Sequence, residues 1–337
     1  MKKVNRKKAA YILMFVGIVL LLVGIVISIS LGAKNIDLST IVNSIFHDNN
    51  DINTKIIRDV RMPRAIAAAL VGGFLAVAGA IMQGITRNPI AEPSVMGITQ
   101  GATFMIAVAL VVQRIFPNLM ISSFAMMMFA FAGASISGLL VYFVSSRSRR
   151  KVDPVKLALA GTALGTLLIS LAMGISMYFN LSQQLTFWIS GGVTGAKWSS
   201  ITLLSIIGGA ALIGAIVMAP KITILSLGEE IAIGLGQKTN KIRFISIILV
   251  ILLTGASVSV AGNIVFVGLI IPQIVKGIVG ADYKYIIPSS MALGSVLLVY
   301  SDILARMINP PYETPIGSLT ALLGVPIFIY LVRKDTK

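Results

Sequence analysis

Long apolar runs separated by short polar or charged stretches make up most of this chain. A helix that crosses the hydrocarbon core needs about 20 mostly apolar residues, because the core is about 30 Å thick and each helical residue rises about 1.5 Å. The runs that reach this length predict an all-α polytopic membrane protein with about ten transmembrane helices. They lie at about 9–33, 65–86, 93–113, 121–144, 157–179, 198–220, 244–262, 263–279, 285–307 and 314–332.

Two uncharged runs are too long for one helix and predict breaks. The run 157–196 is divided by Asn180 and the polar residues 182–184, which leaves 185–195 as a half-helix too short to cross. The run 244–275 is divided at Gly262 and Asn263. The first apolar run follows several lysines and arginines, but it is longer than the core of a signal peptide, and we interpret it as a retained anchor.

Composition agrees with this pattern. Of 337 residues, 56% are hydrophobic and 12% charged, whereas an ordinary soluble domain is about 25% charged. Soluble enzymes and disordered chains are thereby excluded, and a nucleic-acid partner is not expected. The chain has no cysteine and one histidine, His47, so we expect no disulfide and no thiolate or histidine-cluster metal site. We also expect no metal and no cofactor to be bound by this chain.

The net charge of +16, from 28 Lys and Arg against 12 Asp and Glu, predicts an orientation. Ten spans put both termini on one side, and a cytoplasmic location for them places most of the basic residues inside. The positive-inside rule favours that arrangement. We therefore predict a multi-pass protein of the plasma membrane with cytoplasmic N and C termini.

Some arginines depart from the positive-inside rule. Arg58, Arg61 and Arg64 precede the second span on the outer side, and Arg306 follows Asp302 by four residues near the outer end of the ninth. Each alone is explained by interfacial snorkelling or by an i,i+4 ion pair. Together they predict an outer basic patch suited to an acidic protein or an anionic solute.

One inner loop carries a helix signal. Residues 226–229 (Ser-Leu-Gly-Glu) match a capping box and predict a short helix over 227–235 that ends at a left-handed glycine. Acidic residues in its first turn disfavour a position on an anionic membrane surface. We expect this helix to face a partner protein and to contact it through Glu229, Glu230, Ile231, Leu235 and Gly236.

Two weaker features complete the pattern. Prolines at positions 89 and 93 predict a tight inner loop that contains Arg87, Asn88 and Pro89. The tripeptide Val-Ala-Gly at 77–79 recurs at 260–262, five spans later. Five is an odd number, so corresponding helices in the two halves of the chain would cross the membrane in opposite directions. The tripeptide therefore predicts an inverted repeat of the kind found in transporters.

The motif Arg-Met-Pro-Arg at 61–64, followed by AIAAALVGGFLAVAGAIMQG and TRNPIAEPSVMGITQGA, resembles permeases of ABC importers for iron–siderophores, haem and cobalamin. The stretches GNIVFVGLIIPQIVKGIVGADYKYIIP, SDILAR and ETPIGSLTALLGVPIFIYLVRK are similar to the same family. The resemblance covers nearly the whole chain. It implies one transmembrane permease domain over 1–337, with a cytoplasmic coupling helix at about 226–236.

The resemblance also implies partners and roles. Two permease subunits, identical or homologous, would enclose one pathway, two cytoplasmic ATPases would drive it, and an extracellular binding protein would deliver the chelate. Arg61, Arg64 and Arg306 match the arginines that receive acidic residues of the binding protein. The fifth and tenth spans would line the pathway. Gln273 departs from the family pattern, which often has histidine after this proline.

From the resemblance and the predicted topology, we expect a permease subunit for iron–siderophore uptake that is not itself an enzyme. The chain has no G-x-x-x-x-G-K-[ST] motif, so ATP would be used by a partner subunit. Haem or cobalamin remain alternative solutes. An ion-coupled secondary transporter is a further alternative, but it would require ionisable groups at mid-membrane. An intramembrane enzyme would require clustered Asp, His or Ser and Lys groups, which the spans lack.

Overall fold

The structure is a computed structural model that describes residues 6–32, 36–47, 51–146, 154–310 and 312–335. Helices make up its regular secondary structure. Within those ranges there are thirteen α-helices and no β-strand. They are α1 (Arg6–Ser30), α2 (Leu38–Phe46), α3 (Ile52–Thr86), α4 (Ile98–Ile115), α5 (Ser123–Ser146), α6 (Pro154–Tyr178), α7 (Ser182–Ile189), α8 (Trp198–Leu227), α9 (Glu229–Gly234), α10 (Thr239–Ala261), α11 (Val267–Val279), α12 (Tyr283–Met307) and α13 (Ile316–Asp335).

The apolar helices lie where the sequence predicts spans. Among the described residues, eight are long and apolar enough to cross a membrane: α1, α3, α4, α5, α6, α8, α10 and α12. Two shorter apolar helices are α11 and the Ile316–Ile329 part of α13. The 13 residues of α11 extend only about 20 Å, less than the hydrocarbon core. The number of crossings and the sidedness of the termini therefore remain predictions.

The bundle is organised around α3, which contacts α8, α10, α11 and α12. In the most apolar part of α3, 89% of the residues are buried, against 17% in α6. Small residues permit this close packing. A Cβ at Gly72 would meet the backbone of Gly294, and one at Gly79 would meet the backbone of Gly268. Glycine is required at these two crossings because no side chain fits between the backbones.

Two helical regions were not predicted. Helix α2 lies between the first two spans, and α3 begins at Ile52, earlier than the predicted span at 65–86. The added part of α3 includes a π-helical stretch, Ile56–Arg61. Such stretches occur often at functional sites. This one includes Arg61 and ends three residues before Arg64.

The predicted third span begins differently from a simple helix. Residues Pro93–Met96 form a 3-10 turn, and α4 starts only at Ile98. The Cδ atom of Pro93 lies 3.4 Å from the ideal Cβ position of Gly268, which itself packs on the middle of α3. The chain after α3 therefore folds back into the bundle. Irregular backbone at this depth is tolerated where protein surrounds it.

The repeated tripeptide does not mark equivalent positions. Residues 77–79 are helical within α3, whereas Gly262 has a φ of 63° and ends α10. The repeat therefore loses this support, and the inverted repeat stays a prediction. The half-helix predicted over 185–195 is present only in part, as α7: the helix begins at Ser182, within the predicted break, and ends at Ile189, after which the chain is irregular.

Candidate functional site

A charge network built around Arg64 occupies one end of the bundle, called here the arginine end because Arg61, Arg64 and Arg306 all lie there. Arg64 Nη2 lies 2.8 Å from Asp302 Oδ1, and Arg64 Nε donates to the same carboxylate. On its other side, Arg64 Nη1 lies 2.6 Å from Glu313 Oε1. Glu313 Oε2 accepts a 2.5 Å hydrogen bond from the Thr194 hydroxyl. One guanidinium thus joins α3, α12 and the two loops that carry Glu313 and Thr194.

Arg306 extends this network toward α1. Its Nη2 lies 3.1 Å from Asp302 Oδ2, the i,i+4 pair expected from the sequence. The same guanidinium donates to the backbone carbonyls of Ser28 and Leu31 at the end of α1. The buried Asp302 carboxylate is therefore shared by two arginines, a geometry that compensates its charge fully.

Arg61 is the third of the predicted docking arginines. It is buried, and its Nη1 donates to the carbonyls of Ile29 and Ser30 at 2.6 and 3.0 Å. All three arginines therefore gather at one end, as predicted, but they do not form an open basic surface. Their side chains hold helix ends together, and the acids that pair with Arg64 and Arg306 offset much of their charge. The docking role remains a prediction.

The network contains a residue that sequence reasoning missed. Glu313 lies in the loop before α13. The one sequence feature that could have identified it is its position as an acidic residue just before the outer end of the last predicted span. Nothing in the sequence connects it with Arg64, because the two are 249 residues apart. The structure brings them into contact.

A cavity of about 590 Å³ opens next to Glu313. It lies between α4, α5, α7 and the end of α10, and the chain between α7 and α8 forms one wall. The lining is mostly apolar with a few polar groups, a composition typical of ligand pockets. Its charged members are Arg64, Lys197 and Glu313, and its aromatic members are Phe187 and Trp188.

The predicted displayed helix is present at the opposite end as α9, Glu229–Gly234. The capping-box interpretation was wrong. Ser226 still belongs to α8, where its hydroxyl donates to the carbonyl of Thr223, and no side chain caps the start of α9. A sharp turn at Gly228, with a φ of 145°, begins the helix instead. The expected glycine stop is confirmed, since Gly236 has a φ of 77°.

One ion pair fixes α9 to the bundle. Glu229 Oε2 lies 3.1 Å from Nη2 of Arg243, a buried residue of α10. Glu230 is exposed. Ile231 and Leu235, 49% and 64% exposed, form an apolar pair that no part of the described chain covers. The helix is therefore anchored on one side and presents an apolar pair with an acid on the other.

The predicted tight loop lies at the same end as α9. Arg87 ends α3 with a φ of 53°, and Asn88 Oδ1 accepts a hydrogen bond from the amide of Ile90. The carbonyl of Pro89 accepts a 2.8 Å hydrogen bond from Gln273 Nε2. Gln273, which departs from the resembling family, thus holds this exposed loop against α11.

A second missed acid lies inside the bundle. Glu92 Oε1 accepts a 2.9 Å hydrogen bond from the backbone amide of Phe266, in the break between α10 and α11. Glu92 precedes the predicted third span, and nothing in the sequence indicates that it would lie inside the bundle. Like Asp302, it is satisfied by fixed partners.

Helix α6, the predicted fifth span, leaves one side uncovered. The exposed positions include Thr162 and Thr166, whose hydroxyls bond back to the carbonyls one turn earlier. Met173 and Met177 are exposed as well. Among the described residues no group of three His, Cys, Asp or Glu side chains could hold a metal ion.

Comparison with known proteins identifies the family. The model of the FecCD transport family matches residues 20–334. The chain therefore belongs to the FecCD transport family.

Relatives with known names are similar over nearly the whole chain. The iron(3+)-hydroxamate import system permease protein FhuB of Bacillus subtilis is 47% identical over 334 residues, covering 99% of this chain and 86% of that protein. The Fe(3+)-citrate import system permease protein YfmD of the same organism is 38% identical, with coverage of 98% and 97%. The ferric enterobactin transport system permease protein FepD of Escherichia coli is 32% identical, with coverage of 95% and 94%.

A solved structure has the same fold. It is described as an inward-facing conformation of a metal-chelate type ABC transporter, and it superposes with a TM-score of 0.82 at 27% identity. The alignment covers 95% of this chain and 98% of that one.

Proposed function

We propose that this chain is the membrane permease subunit of a binding-protein-dependent ABC importer for iron–siderophore complexes, with ferric hydroxamates as the chelate class. Membership in the FecCD transport family carries the transport function. The 47% identity to a hydroxamate permease, against 38% and 32% to citrate and enterobactin permeases, favours the hydroxamate class.

The coupling to ATP rests on α9. A six-residue helix that is tied to α10 through Glu229 and Arg243 can pass a push on its exposed side to the transmembrane bundle. Ile231 and Leu235 give that exposed side an apolar contact for a cytoplasmic ATPase, and Glu230 gives it a charge. The Arg87–Pro89 loop, exposed at the same end, is a second contact for the same partner.

A second permease subunit, identical or homologous, would face α6. Only 17% of the apolar part of α6 is buried, the lowest share among the eight long apolar helices of the described chain, followed by α1 with 22%. The exposed threonine hydroxyls and the methionines Met173 and Met177 line a surface that is mixed rather than uniformly apolar. Such a surface suits a pathway between two subunits better than contact with lipid alone.

An ion-coupled secondary transporter is the other candidate class. It requires ionisable groups that can exchange protons or ions at membrane depth. Asp302 is fully buried between two arginines, and Glu92 is bonded to the amide of Phe266. Neither acid is placed for exchange, so the geometry favours the ABC permease.

Uptake by a strain that lacks the chain tests this function. Labelled ferric hydroxamate, ferric catecholate, haem and cobalamin are offered separately, with and without the chain restored. Restoration of ferric hydroxamate uptake alone supports the proposal. Restoration of haem or cobalamin uptake instead would reassign the solute, and uptake that survives loss of all partner ATPases would overturn the ABC mechanism.

A further inference from the structure

Arg64 has little hydrogen-bonding capacity left for an incoming partner. A guanidinium carries five N–H donors. Nε and Nη2 are directed to Asp302, Nη2 also reaches Glu313 Oε2 at 3.1 Å, and Nη1 reaches Glu313 Oε1. Both edges of the guanidinium fork are therefore filled by carboxylates of this chain. A carboxylate of another protein can bind Arg64 in the favourable two-bond geometry only by displacing one of them.

The two internal carboxylates differ in how easily they can leave. The Asp302 side chain is 0% exposed and also pairs with Arg306. The Glu313 side chain is 36% exposed and lies in a loop at the mouth of the cavity. Removing Asp302 from its two arginines would leave buried charges unpaired, which is strongly unfavourable. Glu313 is consequently the exchangeable partner.

Displacement of Glu313 has a further consequence. Thr194 donates to the same Glu313 carboxylate, and it lies in the segment 190–197 that connects α7 with α8 and walls the cavity. Gly191, Gly192 and Gly195 lie in this segment, and no atom approaches a Cβ built at Gly195 within 4 Å. Other contacts at its start, such as the hydrogen bond from the Gly192 amide to the Ala261 carbonyl, would remain. Buried Val193 and Ala196 hold the chain on either side, so loss of the Thr194 contact frees the tip formed by Thr194 and Gly195.

We propose that Glu313 is a positioning residue that occupies, on Arg64, the place taken by a carboxylate of the extracellular binding protein at docking. Exchange of the two carboxylates releases Thr194 and loosens the Thr194–Gly195 tip of the cavity wall. Docking at the arginine end is in this way transmitted to the segment that borders the cavity. The inference rests on the proposed function, since it needs an acidic binding protein as partner.

The first test compares two substitutions that change the charge of the arginine end equally. Glu313→Gln removes the competing carboxylate, whereas Asp59→Asn removes an exposed acid that does not pair with Arg64. Binding of the hydroxamate-binding protein that supports uptake is measured on the reconstituted importer. We expect Glu313→Gln to tighten binding about tenfold, the equivalent of one charge-assisted hydrogen bond, and Asp59→Asn to leave it within about twofold. Equal effects of both substitutions would overturn the exchange.

The second test follows the segment itself. Because the chain has no cysteine, a Gly195→Cys variant takes a single spin label at a position with open space. Label mobility should rise when the binding protein docks. In a Thr194→Val background it should be high with or without the binding protein. Unchanged mobility on docking would overturn the release. A chain that neither binds the protein nor takes up chelate would instead refute the proposed function, and this is visible before any substitution at Glu313.

Discussion

Arg64 and Asp302, 238 positions apart in the chain, form a salt bridge of 2.8 Å in which the carboxylate is completely buried. Arg306 closes the group from one turn further along α12. Helix α3 just beyond its π-helical stretch, the end of α12 and the end of α1 are thereby held together at the arginine end. Arginines that the sequence analysis assigned to an exterior surface thus hold helix ends together by internal contacts, which gives them a fastening role. Any docking of a partner must use the same side chains.

Removal of Asp302 should destabilise the fold strongly. Asp302→Ala leaves two arginines without their shared acid, and breaking a buried ion pair typically costs about 3–5 kcal/mol. Thermal unfolding in detergent should show the loss, with Asp59→Ala as the exposed control that changes stability by about 0.5 kcal/mol or less. An Asp302→Ala protein that unfolds at the parent temperature would contradict the fastening role.

The close crossing of α3 and α11 gives a second prediction. Gly79→Ala would drive its Cβ into the backbone of Gly268, and overpacking of this kind costs about 1–3 kcal/mol or more. Gly174→Ala is the matched control, because nothing lies within 4 Å of a Cβ built there. Folded yield and thermal stability should fall for the first variant only. Equal behaviour of both variants would show that the crossing tolerates a methyl group.

The face of α9 that meets the ATPase can be tested one residue at a time. Ile231→Asp places a charge in the apolar pair formed with Leu235 and should strongly reduce co-purification of the ATPase. Ile233→Asp, an equally exposed position on the other side of α9, should reduce it less. Membrane insertion should be normal for both. Loss of association with Ile233→Asp alone would mean that the ATPase contacts the opposite face.

The Arg64–Glu313 contact should depend on pH in a defined direction. Burial alone raises the pKa of Glu313, but hydrogen bonds from Arg64 and Thr194 and the nearby positive charges outweigh burial, so the pKa lies below its usual value of 4.5. A lowered pKa means that the contact contributes fully above about pH 4.5 and is lost as pH falls through the folded-state pKa. Mobility of a label at Gly195→Cys should stay constant from about pH 8 to 5 and rise only below about 4.5. The same profile in a Glu313→Gln background would exclude Glu313 as the titrating group.

The sequence predicted the apolar helices well because lipid imposes a simple rule: a long uncharged run must cross or be buried. The helix break at Gly262 and the helix end at Gly236 could be predicted because glycine, alone or next to a polar residue, interrupts the apolar pattern there. The re-entrant turn at Pro93–Met96 was missed because Glu92 looks like a loop acid. The hydrogen-bond partner of Glu92, the backbone amide of Phe266, is 174 residues away in the sequence.

The candidate site was predicted only in part. Arg61, Arg64 and Arg306 were identified and do meet at one end, but their burial depends on Asp302, Glu313 and the end of α1, contacts that no local pattern specifies. The capping box failed for a local reason. The hydroxyl of Ser226 had a nearer acceptor in the last turn of α8, and Gly228 could make the turn without a side-chain cap.

The proposed function makes this chain the membrane part of an ATP-driven importer for ferric siderophores. Its most direct test is uptake of labelled ferric hydroxamate into proteoliposomes that contain the chain, its partner permease, the ATPases and the binding protein. We predict uptake that requires ATP and the binding protein and that continues when proton and sodium gradients are collapsed. Uptake that proceeds without ATP and stops when those gradients are collapsed would contradict the account.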